Sequence, residues 1–123
     1  MIGIDIVEIE RMEKAMRIRG FLAKIFTEAE REFLKSKDFS IESAAGMFAC
    51  KEAVAKALGC GIAEGVRISD IEVLHNDKGA PCVNLYHSAK AKLEAAGADG
   101  VAVSISHEKH YAVATALLRR GGL

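Results

Sequence analysis

The sequence predicts an α+β fold: a small antiparallel sheet packed against helices, one of them long and largely buried. Three observations carry this reading. Apolar residues alternate with small or polar ones at the start (MIGIDIV) and again near the end (VAVSIS). Helix-opening signals stand between them, at Thr27 with Glu30 and at Ser40. From Ser43 to Ala63 the only charged residues are Lys51, Glu52 and Lys56, and their surroundings are almost all small or apolar. An ordinary surface helix carries a broad polar face. This one has none, so it is expected to be covered on most sides.

The elements follow in order. Ile2, Ile4 and Ile6 alternate with Gly3 and Asp5, which predicts a strand with Asp5 pointing away from the isoleucines. From about Glu8 the spacing of Ile9, Met12 and Met16 turns helical. Thr27 and Glu30 form a T-x-x-E capping box that opens a helix through about Ser36. Ser40 caps the long helix, which runs to about Leu58 and stops at Gly59 and Gly61. Ile71 to Leu74 reads as a strand, Asn76-Asp77-Lys78-Gly79 as a turn, and Cys82 to Tyr86 as the partner strand. Ser88 is placed as the cap of a helix through Ala96, ended by Gly97. Val101 to Ser106 and Tyr111 to Leu118 are β-rich runs joined at His107-Glu108-Lys109-His110.

A chain of 123 residues is read as one domain, 1–123, with a thin core. Its 17 basic and 17 acidic residues balance, which argues against a broad nucleic-acid footprint. The start of the chain has early acids and no basic n-region, so no signal peptide is expected; no apolar run is long enough for a membrane span. Cys50, Cys60 and Cys82 are odd in number and form no CxxC. They read as reduced, small apolar residues in a cytoplasmic protein.

Chemistry is sought first in KEAVAK. At 100° per residue, Lys51 falls in the middle of an apolar stripe containing Phe48, Ala44, Ala55 and Met47. Glu52 lies at its edge, and Lys56 is one turn beyond Glu52. Two readings stand side by side. In the first, Lys51 snorkels and Glu52–Lys56 is an i,i+4 pair worth about 0.3–0.5 kcal/mol. In the second, the three form part of a phosphate and metal site, since hard cations take carboxylate oxygens and lysines neutralise phosphates. A second carboxylate is then needed. Asp5, in an otherwise apolar strand, is that candidate; otherwise it is a turn residue at the strand–helix junction. His107 ends a strand and reads as a turn histidine or a site residue. Gly59-Cys60-Gly61 reads as a helix stop or a phosphate cradle. Cys50 has no histidine base beside it in sequence and is read as packing.

Taken in order, GIDIVEIER, FTEAER, FACKEAVAKALG, DIEVLHNDKGAP and SISHEKHYAVA resemble the holo-[acyl-carrier-protein] synthases. These are the small, single-domain group of 4′-phosphopantetheinyl transferases, and the likeness covers nearly the whole chain. It implies transfer of phosphopantetheine from coenzyme A to a serine of apo acyl carrier protein, for fatty acid biosynthesis, with release of adenosine 3′,5′-bisphosphate. It implies magnesium held by Asp5 and Glu52, with Lys56 at the phosphates. It also implies coenzyme A contacts at Lys51, Gly59, Gly79, Pro81, Ser106 and His107, and carrier docking at Arg11. Lys14 and Arg17 share a helical stripe with Arg11, which is either a solvated face or a continuation of that docking surface. A homotrimer with sites at subunit interfaces is implied as well. Two details depart from the family: Ala80 stands before Pro81, where a lysine is common, and Cys50 stands where alanine is common. Two other classes of function fit KEAVAK: a coenzyme A-binding module without chemistry, and a structural trimer whose lysines and glutamate are paired inside.

Overall fold

The computed structural model describes residues 1–59 and 65–121. Cys60 and Gly61, named above as part of a helix stop or cradle, lie outside the described residues.

Strand β1 (Ile2–Glu8) leads into helix α1 (Ile9–Met16), which buries Ile9 and Met12. A five-residue helix α2 (Phe21–Ile25) follows Gly20, whose φ of 84° suits a residue without Cβ. It went unpredicted because it is too short to display a period. Helix α3 (Glu28–Ser36) opens on the expected capping box: the Glu30 backbone N–H donates to Thr27 Oγ1, and the Thr27 N–H donates to Glu30 Oε1 at 2.8 Å. Helix α4 (Ile41–Ala57) starts at Ser40, whose hydroxyl oxygen accepts from the Ser43 N–H. Gly59, with φ at 85°, supplies the left-handed residue that ends it.

A 3-10 turn (Ile68–Asp70) precedes the hairpin of β2 (Ile71–His75) and β3 (Pro81–Leu85). Its turn is fixed by the Asn76 side chain, which accepts from the N–H groups of Lys78 and Ala80. Helix α5 (His87–Ala95) then leads to a second hairpin of β4 (Gly100–His107) and β5 (Tyr111–Arg119). Ser88 is not the cap of α5: it lies inside the helix, and its hydroxyl donates to Asp70.

The fold class is the expected α+β. Strand β1 pairs antiparallel with β5, giving a three-stranded sheet of order β1-β5-β4, while β2 and β3 form a separate two-stranded sheet. Helix α4 lies across the three-stranded sheet. The floor beneath it is made of very small residues: Gly3 pairs with Ala116, Asp5 with Ala114 and Val7 with Ala112, and the three alanines are buried. A Cβ on Gly3 would collide with the Ala53 carbonyl and the Ala57 amide of α4. Only glycine lets strand and helix approach this closely. The isoleucines of β1 face the other way and are exposed, Ile2 by 73 % and Ile6 by 63 %.

The interior is not purely apolar. Lys51 and Glu30 are both fully buried, with Nζ and Oε1 2.7 Å apart. The ammonium also donates to the carbonyls of Ile68 and Ile71. The carboxylate accepts from the Val73 N–H through its other oxygen. Beside them Glu72 accepts from the Thr27 and Tyr86 hydroxyls, at 2.6 and 2.9 Å. All three ammonium protons are thus matched, and α4 is tied to α3 and to the first sheet strand of the β2–β3 hairpin. Burial pulls the Lys51 ammonium below its ordinary value, and Glu30 pulls it back up.

Lys51→Met is expected to strand the Glu30 carboxylate in the core and cost about 3–5 kcal/mol, read as a lowered midpoint in urea unfolding. Adding Glu30→Gln, which keeps the capping acceptor, is expected to recover part of the loss. A midpoint unchanged in the single variant would contradict the tie.

Candidate active site

Strand alternation turns Asp5 inward, beside Gly3 and Val7, onto the face that meets α4. From α4, Glu52 and Lys56 lie one turn apart on the side facing β1. The Lys56 ammonium is 3.1 Å from Asp5 Oδ1 and donates to the Ile4 carbonyl at 3.0 Å. Asp5 and Glu52 line one cleft of about 320 Å³, together with Glu8, Arg11, Phe21 and Phe48. Two acidic groups remote in sequence therefore converge. Glu52's carboxyl is held above its ordinary value, first by burial and then by the Asp5 charge, with Lys56 opposing. Such a half-dry pair of carboxylates with one ammonium suits a hard cation and anionic oxygens.

Among the described residues no three His, Cys, Asp or Glu side chains gather into a metal cage. Magnesium needs less, since it keeps waters and takes one or two carboxylates plus substrate phosphates. The donor set at Asp5 and Glu52 fits that demand, and the ammonium on Asp5 already stands in for a cation there.

A second cleft, of about 180 Å³, brings together Gly79, Pro81 and His107 with Glu42, Gly46 and His75. Helix α4 contributes to both clefts, through Gly46 to this one and Glu52 to the other. Inside this cleft's wall His75 stacks on Phe33, with ring centroids 4.0 Å apart. Ser106 is exposed beside His107 but is not part of the lining. Gly59 acts as the terminator of α4 and lines neither cleft.

The structure separates the two lysines of KEAVAK. Lys51 has no exposed side-chain surface, so its expected contact with coenzyme A is corrected: the ammonium is spent on Glu30 and two carbonyls. Lys51 is paired inside the fold, while Lys56 is paired with Asp5 at a half-exposed position. Cys50 is buried and its thiol is pushed up to about 12 by desolvation, which leaves it packed and unreactive. Arg11, Lys14 and Arg17 are exposed, each 3.6–3.8 Å from a glutamate of the same surface, namely Glu8, Glu10 and Glu13. Of these three only Arg11 reaches the Asp5–Glu52 cleft. Sequence reasoning missed the walls Phe21 and Glu42, which carry no motif. It also missed Glu30 as the partner of Lys51; a core ammonium without a carboxylate was the available signal.

The chain belongs to the 4′-phosphopantetheinyl transferase superfamily, whose family model matches residues 1–116. Within it the likeness is to the holo-[acyl-carrier-protein] synthases. That of Caldicellulosiruptor saccharolyticus is 44 % identical over 119 residues, covering 97 % of this chain and 95 % of the relative. The crystal structure of the Helicobacter pylori holo-[acyl-carrier-protein] synthase in complex with coenzyme A is similar at a TM-score of 0.83 and 36 % identity, covering 96 % of this chain and 99 % of that one. The Bacillus anthracis holo-(acyl-carrier-protein) synthase, in complex with CoA (3′,5′-ADP), is similar at 0.80 and 38 %, covering 98 % of this chain and 96 % of that one.

The crowding at Glu52 has a sign that stability measurements read. A carboxyl whose folded value is raised costs stability once the pH exceeds that value, and costs nothing below its unfolded value. At neutral pH the cost is present, and glutamine lacks it. Glu52→Gln is therefore expected to be at least as stable as the parent at pH 7, with the advantage lost at pH 4. Thermal unfolding at both pH values checks this; a variant destabilised at pH 7 would contradict the crowding.

Proposed function

We propose that this chain moves 4′-phosphopantetheine from coenzyme A to a serine of apo acyl carrier protein, with magnesium, releasing adenosine 3′,5′-bisphosphate and serving fatty acid biosynthesis. The observation that carries the reading is the convergence of Asp5 and Glu52 on one cleft, with Lys56 paired to Asp5, in a chain whose relatives are named for this activity.

The chemistry is phosphoryl-type transfer, in which positioning and charge neutralisation supply most of the rate. Asp5 and Glu52 would hold magnesium, which, when bound, neutralises the pyrophosphate and orients it. Lys56 stabilises the charge that grows on the departing bisphosphate. The carrier serine attacks the β-phosphorus. Glu52 is the candidate to take the serine proton, directly or through a water. The cleft at Gly79, Pro81 and His107 receives another part of coenzyme A. Arg11, at the mouth of the Asp5–Glu52 cleft, meets the acidic carrier, with Lys14 and Arg17 farther along the same helix.

A homotrimer with sites at subunit interfaces belongs to the same proposal. The bare face of β1 supports it: Ile2, Ile4 and Ile6 are exposed, and Leu117, exposed by 48 %, pairs with Ile2. An apolar strip of this kind marks an interaction surface. Among the described residues no helix is long and apolar enough to cross a membrane, and the proposed site of action is the cytoplasm.

Mass spectrometry of apo carrier mixed with protein, coenzyme A and magnesium is the direct test. The carrier is expected to gain phosphopantetheine, and Glu52→Gln to slow this by about 10²-fold or more. A Glu52→Gln rate near that of the parent would refute the site. Arg11→Ala is expected to raise KM for the carrier several-fold while leaving coenzyme A affinity in place; unchanged constants would remove Arg11 from docking.

A further inference from the structure

Lys56 holds two oxygens of β1, the Ile4 carbonyl at 3.0 Å and the Asp5 carboxylate at 3.1 Å. Its side chain is 51 % exposed, whereas that of Asp5 is 18 % exposed. The lysine is the mobile partner: a four-carbon stem, half in water, carrying a point charge. Asp5 is fixed by the strand pairing Asp5↔Ala114. The ammonium thus sits on the carboxylate that the proposed function gives to magnesium, and that carboxylate lines a cleft with Glu52. A divalent ion on Asp5 and an ammonium at 3.1 Å from the same group repel strongly in a partly desolvated site.

We propose that Lys56 is a tethered counter-ion, which occupies Asp5 in the substrate-free enzyme and must leave it when the metal arrives. It rests on the metal role given to Asp5 above and adds a competition that this role does not require. Lys56 neutralises the carboxylate pair while the cleft is empty, so the strand and helix can hold two acidic groups together at no large cost. The ammonium freed by the metal becomes available to a phosphate. Metal and phosphate ligands each help the other by drawing on one lysine, and such coupling is reciprocal.

The competition is tested without turnover. Mn²⁺ alone is titrated into substrate-free protein, and free ion is followed by its electron paramagnetic resonance signal. Lys56→Met is expected to bind Mn²⁺ about three- to tenfold more tightly than the parent. Lys56→Arg, which keeps a cation, is expected to bind like the parent. Lys56→Gln is expected to follow Lys56→Met and serves if the methionine variant folds poorly. Asp5→Asn is expected to lose most affinity. Equal or weaker binding in both neutral variants, with Asp5→Asn still defective, would overturn the counter-ion role and leave the metal site standing. Parent-like binding in Asp5→Asn would overturn the metal site itself, and the competition with it.

Discussion

Helix α4 has almost no polar surface, yet Lys51 sits at its centre, fully buried and 2.7 Å from an equally buried Glu30. An unmatched ammonium there would cost several kcal/mol. Every donor is met instead, by Glu30 and by the carbonyls of Ile68 and Ile71. Glu30 is shared further, with the Thr27 and Val73 amides. One side chain therefore joins α4 to the start of α3 and to β2. The geometry of the opposite side of α4 follows from this anchoring. There the Gly3 contact draws β1 in, and Asp5 arrives in the cleft that Glu52 lines.

Neighbouring residues of one helix thus carry opposite electrostatic tasks. Lys51 is satisfied within the protein. Glu52, one position on, is crowded by burial and by Asp5, and Lys56 relieves it in part. Charge left incompletely matched at a cleft is a feature of sites that bind ions or react. The cost is small because Asp5 and Lys56 reach solvent in part. The exposed isoleucine face of β1 lies on the reverse of the strand that presents Asp5, so the same seven residues serve a site on one face and an apolar surface on the other.

Most local signals in the sequence were read correctly. The Thr27–Glu30 box, the Ser40 cap, the Gly59 stop and both hairpins depend on residues a few positions apart. The covered nature of α4 was also legible, because the stretch from Ser43 to Ala63, with three charges, has no solvent face. What the sequence left hidden was long-range. The partner of Lys51 lies 21 positions away and was already accounted for as a capping residue. Period two announced β1 but not which of its faces is buried; the apolar isoleucines point outward, and glycine and aspartate point in. Gly3 gave no sign that a helix backbone would lie against it. Ser88 looked like a cap because its preference for such places is general, yet Asp70 captures its hydroxyl. Of the candidate site, Asp5, Glu52 and Arg11 meet in one cleft, with Lys56 paired to Asp5, while Gly79, Pro81 and His107 meet in another. Lys51, Gly59 and Ser106 line neither.

The most direct test is anomalous diffraction from a crystal soaked in Mn²⁺ with coenzyme A bound. An anomalous peak bonded to carboxylate oxygens of both Asp5 and Glu52, with the Lys56 ammonium moved from Asp5 to a phosphate, is the predicted result. A peak elsewhere, or the two carboxylates turned apart with Lys56 still on Asp5, would contradict the account.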